Sequence, residues 1–109
     1  MKQITVNIPI FDQSVVVIWG ENLENLLQYV EDTEGVMQKS TVSVDAITVD
    51  YRDGRIFVCL TNDVSDYVIV HECVHAVYAL INLISLDLKD EEMFAYLLEY
   101  LYKEIKKHV

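Results

Sequence analysis

The chain has 109 residues, just over half of them hydrophobic, with three glycines and one proline, which describes one compact domain with no room for a second core. Eighteen Asp and Glu stand against eight Lys and Arg, a formal charge of −10 at pH 7; outside the tail there is no cluster of cations of the kind that binds a phosphate backbone, so nucleic acid is not an expected partner. A domain this small buries a real but modest core, and any cleft must be shallow or shared with a partner.

The start, MKQITVNIPIF, has no long apolar segment and no small-residue cleavage site, and no stretch approaches the length of a membrane span. The expectation is a cytoplasmic protein with no membrane partner. Cys59 and Cys73 lie inside apolar runs and read as buried, reduced thiols rather than a disulfide framework. The one basic cluster, KEIKKHV at the end, reads as cations complementing the dipole of a last helical turn.

In chain order, ITVNIPIF alternates, with Ile4, Val6, Ile8 and Ile10 on one face, and predicts a strand. SVVVIWG is β-branched and bounded by Gly20, and the short FDQ before it predicts a hairpin with the first strand. ENLENLLQYVED spaces Leu23, Leu26, Leu27 and Val30 as a short amphipathic helix. TEGVMQKS is the most loop-like stretch. TVSVDAITVDYRDGRIFVCL follows as two β-rich runs joined through Asp53-Gly54, a strong hairpin signal. Asn62, Asp63 and Ser65 are cap candidates for an apolar helix reaching about Ile84. After the connection SLDLKDEE, with Asp87 or Asp90 as cap, a final helix runs from about Asp90 to Lys107. The order ββαββαα predicts an α+β domain: a small, mostly antiparallel sheet with helices against one face.

The chemistry concentrates in HECVH, residues 71–75, which holds two of the three histidines. On a helix, residues four apart lie one turn apart on the same face. His71 and His75 can therefore share a tetrahedral metal ion at roughly 2.0–2.1 Å per Zn–N bond. Glu72, one position on, is rotated toward a water rather than the ion. Two ligands, a general base and a zinc that lowers a water's pKa toward ~7 are the chemistry of His-Glu-x-x-His. Val68, His71, His75, Tyr78 and Asn82 trace one stripe of this helix, and nearly all else on it is apolar. Such a helix is expected to be buried, which would leave both histidines and the glutamate in need of partners. A zinc would satisfy all three together; the alternative is that each finds its own hydrogen bond, or that the stripe simply faces water. Cys73, inside the motif, points away from the histidines and is packing.

A catalytic zinc usually takes a third protein ligand. No third histidine follows at the spacing HExxHxxGxxH, since Tyr78 and Ile81 occupy those positions. The next helix opens DEEMFAYLLEYL, and here the chain resembles the gluzincins, the thermolysin-like and aminopeptidase-like zinc peptidases. Their third ligand is a Glu on a downstream helix, often in a pattern like Asn-Glu-Gly-Phe-Ala. The chain is also similar to small single-domain HExxH proteins of phages and mobile elements, which often end in a helix of the type EExFAYLLxYL. The resemblance is specific over residues 67–102. It implies a minimal zincin-like fold and Zn2+ held by His71, His75 and Glu92. Periodicity prefers the neighbour: Phe94, Leu97, Leu98, Leu101 and Ile105 form the apolar face of this helix, with Glu91 on its rim and Glu92 on the face of Glu99. Glu91 thus stays as the alternative third ligand.

Two departures separate the chain from larger gluzincins. Tyr96 stands one turn after Glu92, where they carry an Asp or similar supporting residue. They also supply a Tyr or His that stabilises the oxyanion, and here Tyr67, Tyr78, Tyr102 and His108 are the candidates. The implied reaction is hydrolysis of a peptide or protein substrate, with Glu72 as general base. A strand beside the site helix, RIFVCL or VSVDAITV, would hold an extended peptide by edge addition. The rival is a catalytically silent zincin-like interaction module. Its tyrosine-rich last helix, with Tyr96, Tyr100 and Tyr102, offers a surface for a partner or for a homodimer.

Overall fold

The computed structural model describes residues 1–9, 11–35, 45–84 and 90–109. The element order is β1 (Lys2–Ile8), β2 (Gln13–Gly20), α1 (Leu23–Glu34), β3 (Ala46–Asp50), β4 (Ile56–Thr61), α2 (Asp66–Leu83) and α3 (Glu91–Lys106). The ββαββαα order and the α+β class match the sequence expectation. Ile10, most of the loop-like stretch, the first residues of the VSVDAITV run and Asp87 lie outside the described residues.

The strands form one sheet in the order β1-β2-β4-β3. β1 and β2 pair as an antiparallel hairpin, as do β3 and β4, and β2 joins β4 in parallel. The sheet is therefore mixed, with the β2–β4 pair at its centre and β3 at one edge. The β3–β4 turn is built as its sequence demands. Gly54 adopts φ 97°, a left-handed conformation that favours glycine; a Cβ there would meet only the methyl end of the Leu83 side chain, at 2.9 Å, which can shift.

The expectation of helices against one face is corrected. α2 and α3 cover the face formed by Val15, Val17, Trp19, Ala46, Val58 and Leu60. α1 covers the opposite face, formed by Ile18, Ile47, Val49, Phe57 and Cys59. The physical reason lies in the central strands: β2 and β4 are apolar on both faces, as strands buried on both sides must be. A second layer is needed to shield Ile18 and Phe57 from water. α1 supplies it with Leu23, Leu26 and Val30, all buried.

α2 and α3 run antiparallel. Lys106 Nζ meets Asp66 Oδ1 at 2.6 Å at one end, and the Tyr78 and Phe94 rings meet edge-on at 5.2 Å toward the other. Asp90 caps α3, its side chain accepting from the Met93 N–H at 3.1 Å. Leu97, Leu101 and Ile105 are fully buried against the sheet and α2. Truncating any one of them to alanine costs about 2–5 kcal/mol. This scaffold fixes α2 over β3 and β4, which positions the His-Glu-x-x-His segment.

Candidate functional site

His71 and His75 sit one turn apart on α2, and their Nε2 atoms are 3.1 Å apart. The rings meet edge-on, with centroids 4.8 Å apart and planes at 72°. Two nitrogens on one tetrahedral zinc, each at roughly 2.0–2.1 Å, stand about 3.3 Å apart. The pair thus already has nearly the spacing of two ligands to one ion. The same spacing also suits an N–H···N bond between two neutral imidazoles.

Both histidines are exposed, as are Tyr67, Val70, Tyr78 and Asn82. Of the two readings of this stripe, buried against partners or facing water, the second holds: α2 turns it outward, and only its other side is core. The histidines need no partner to offset burial. Glu72 does. It is 3 % exposed, the one buried charged side chain among the described residues.

Glu72 reaches under α2 toward the edge strand. The Thr48 hydroxyl on β3 donates to Glu72 Oε1 at 3.0 Å and lies 3.1 Å from the main-chain oxygen of the same residue. Cys59 and Cys73 are buried and free. Burial first, and the Glu72 charge second, push both thiols up to about 12. They stay protonated and unreactive at neutral pH, in keeping with packing roles.

The third-ligand candidates are not gathered at the pair. Glu91 and Glu92 are exposed in the first turn of α3. Among the described residues, no three His, Cys, Asp or Glu side chains are grouped to hold a metal ion. Helix α3 does separate the two glutamates by face. Glu91 lies on the side of Phe94 and Leu98, which turns toward Tyr78 of α2. Glu92 lies with exposed Tyr96 and Glu99. Of the oxyanion candidates, Tyr67 is 79 % exposed and Tyr78 is held against Phe94. Tyr102 packs partly on the core. His108 lies beside Trp19, 6.4 Å between ring centroids, and its main-chain oxygen accepts from Lys2 Nζ.

Of the two runs read as a peptide-holding edge, RIFVCL is corrected. β4 is paired on both sides, by β2 and β3, and has no edge to offer. β3, the described end of VSVDAITV, is the edge strand. Thr61 N–H donates to Asp45 O, and Tyr51 N–H donates to Arg55 O; the antiparallel register between these bonds directs Ile47 and Val49 to β4. Thr48 and Asp50 consequently turn their main-chain N–H and C=O groups away from β4, along the sheet edge. A depression of ≈ 300 Å³ lined by Asp50, Tyr51, Arg52, Ala79 and Asn82 continues the seam between β3 and α2.

Thr48 is the site residue that the sequence reading missed. Its only signal was a hydroxyl alternating with Ile47 and Val49 in a β-run, a pattern that reads as a solvent-facing position.

Compared with known proteins, the chain matches no family model, no curated protein and no solved structure.

Proposed function

We propose that the chain is a zinc-dependent hydrolase of peptide bonds, a minimal gluzincin-like enzyme acting in the cytoplasm on an extended segment of a peptide or protein. The observation that carries this reading is the convergence of His71 Nε2 and His75 Nε2 at 3.1 Å, with a buried carboxyl, Glu72, at the next position of the same helix turn. The two imidazoles fit two of the ligand positions of a tetrahedral zinc. The third falls to Glu92, with Glu91 as the alternative, and requires the first turn of α3 to bring a carboxylate toward the pair.

When bound, the ion would polarise the scissile carbonyl and make water a competent nucleophile near neutral pH. Glu72 accepts the proton of the attacking water and delivers it to the departing nitrogen. Its burial keeps bulk water from competing for that proton. The β3 edge, through the outward main-chain groups of Thr48 and Asp50, orients an extended peptide across α2.

The test is elemental analysis of protein purified without chelators, alongside His71→Ala, His75→Ala and Glu72→Gln. About one zinc per chain is expected in the parent and in Glu72→Gln, and a severe loss in both alanine variants. Glu72→Gln should hydrolyse nothing, because a carboxamide cannot take up the proton. Negligible zinc in all four after reconstitution ends the metal reading.

A second reading keeps the fold without turnover: an interaction module. The observation that favours it is the outward tyrosines of the helical layer, with Tyr78 45 % and Tyr96 43 % exposed. Tyr96 and Tyr100 stack at 6.3 Å on α3, which presents a flat aromatic surface to a partner or a second copy. Zinc without hydrolysis of any peptide in a library selects this reading.

A further inference from the structure

We propose that Thr48 is the positioning residue of Glu72 and sets the register of a bound peptide against it. The inference rests on the hydrolase reading above, and three features of the chain carry it. The first is the double contact. One hydroxyl reaches both Oε1 and the main-chain oxygen of Glu72, at 3.0 and 3.1 Å. Its single proton goes to Oε1, with the main-chain oxygen as a second acceptor within reach, so the hydroxyl sits between the end of a three-bond side chain and that residue's own backbone. Glutamate has several staggered rotamers available, and a donor held at that place selects one of them.

The second feature is that packing does not call for a hydroxyl at position 48. Its neighbours on this side of the sheet, Ala46 and Val58, are apolar and fully buried. A valine has the same shape, equal preference for a strand and no polar atom to satisfy. Among the described residues, the hydrogen-bond contacts of the hydroxyl are both to Glu72.

The third feature is where the main chain of Thr48 points. β3 bonds to β4 through its odd-numbered residues, so the N–H and C=O of Thr48 face the sheet edge. A strand added there pairs with the same residue whose side chain holds the proton acceptor. The distance from the paired peptide to the Glu72 carboxyl is then fixed within one residue. Proton transfer needs the acceptor within about 2.6–3.2 Å of its proton donor, and a link this short leaves little slack.

The experiment compares the parent with Thr48→Val, Thr48→Ala and Thr48→Ser. The first measurement uses metal-free protein labelled with 13C in glutamate and reads the three-bond side-chain couplings of Glu72. One rotamer is expected in the parent and in Thr48→Ser, and averaged couplings in Thr48→Val and Thr48→Ala, with amide shifts outside the β3–α2 seam unchanged. The second uses zinc-loaded protein on a peptide cleaved by the parent. Thr48→Val should lower kcat about tenfold or more, since misplacing a reacting group by ~1 Å can cost a hundredfold; KM should hold, and Thr48→Ser should restore most of kcat. Parent-like couplings in Thr48→Val and Thr48→Ala overturn the proposal. So does averaging of the couplings with an undiminished kcat. A parent that takes no zinc and cleaves nothing defeats the hydrolase reading instead, while the couplings still decide whether Thr48 holds Glu72.

Discussion

Replacing Glu72 with methionine should make the metal-free protein more stable. The carboxyl sits at 3 % exposure on the inner side of α2, with the Thr48 hydroxyl its hydrogen-bond donor. Removing an ion from water costs several kcal/mol even after the protein relaxes, while a hydrogen bond to a charged group contributes only about 1.5–3 kcal/mol. Methionine has similar length, fills irregular space and adds apolar burial. It also leaves no orphaned donor behind. The Thr48 hydroxyl already lies 3.1 Å from the residue 72 main-chain oxygen and can donate there instead. The balance favours Glu72→Met by about 1–2 kcal/mol. At about 2.1 cal/mol/K per residue, unfolding 109 residues carries ~0.23 kcal/mol/K, so the midpoint should rise by roughly 4–9 °C. Urea unfolding of chelator-treated protein, followed by far-UV circular dichroism, gives the free energy directly. A loss of stability of about 1 kcal/mol or more would refute the reasoning. It would mean that the carboxyl is part of what holds α2 on β3, and a structural buried acid would then explain the site without chemistry.

Two further outcomes separate the remaining assignments. In a metal titration of Glu91→Ala and Glu92→Ala, one variant should show a severe loss of zinc affinity and the other almost none. Loss in Glu92→Ala supports the gluzincin pattern, loss in Glu91→Ala supports the helix face that turns toward Tyr78, and parent-like affinity in both removes α3 from the ligand set. For the thiols, burial raises Cys59 and Cys73 to about 12, so both are protonated throughout the range in which the protein is handled, and thiolate appears only as pH climbs toward that value. Iodoacetamide at pH 8 should leave both unmodified by intact-mass measurement and alkylate both in denaturant; rapid labelling of the folded protein would contradict the packing.

How far the sequence could be read depended on what each signal encodes. Period-two alternation in β1, the Asp53-Gly54 turn and the apolar face of α3 are local patterns, and each element formed where its pattern predicts. The layer order was not legible. Which faces a strand buries depends on its neighbours in the sheet, and nothing local to SVVVIWG or RIFVCL says that they pair in parallel at the centre. Once they do, both faces of β2 and β4 need cover and α1 must lie opposite α2. The apolar character of α2 left its polar stripe undecided for a related reason. Composition alone does not say whether the stripe is buried or faces water, whereas a helix in the outer layer exposes a stripe whatever its composition.

The same logic explains why half the candidate site could be read and half could not. The histidine pair is set by four-residue spacing on one helix, so its convergence follows from the motif alone. The partner of Glu72 comes from 24 residues away, on a strand where alternation assigns the even positions to solvent. That assignment fails at Thr48 because β3 is covered on both faces: Ile47 and Val49 face α1, and Ala46 and Thr48 face α2. A hydroxyl on an inward face then needs an acceptor, and the one within reach is the acid of the motif. Where a strand is sandwiched between layers, its polar residue is the position to examine first.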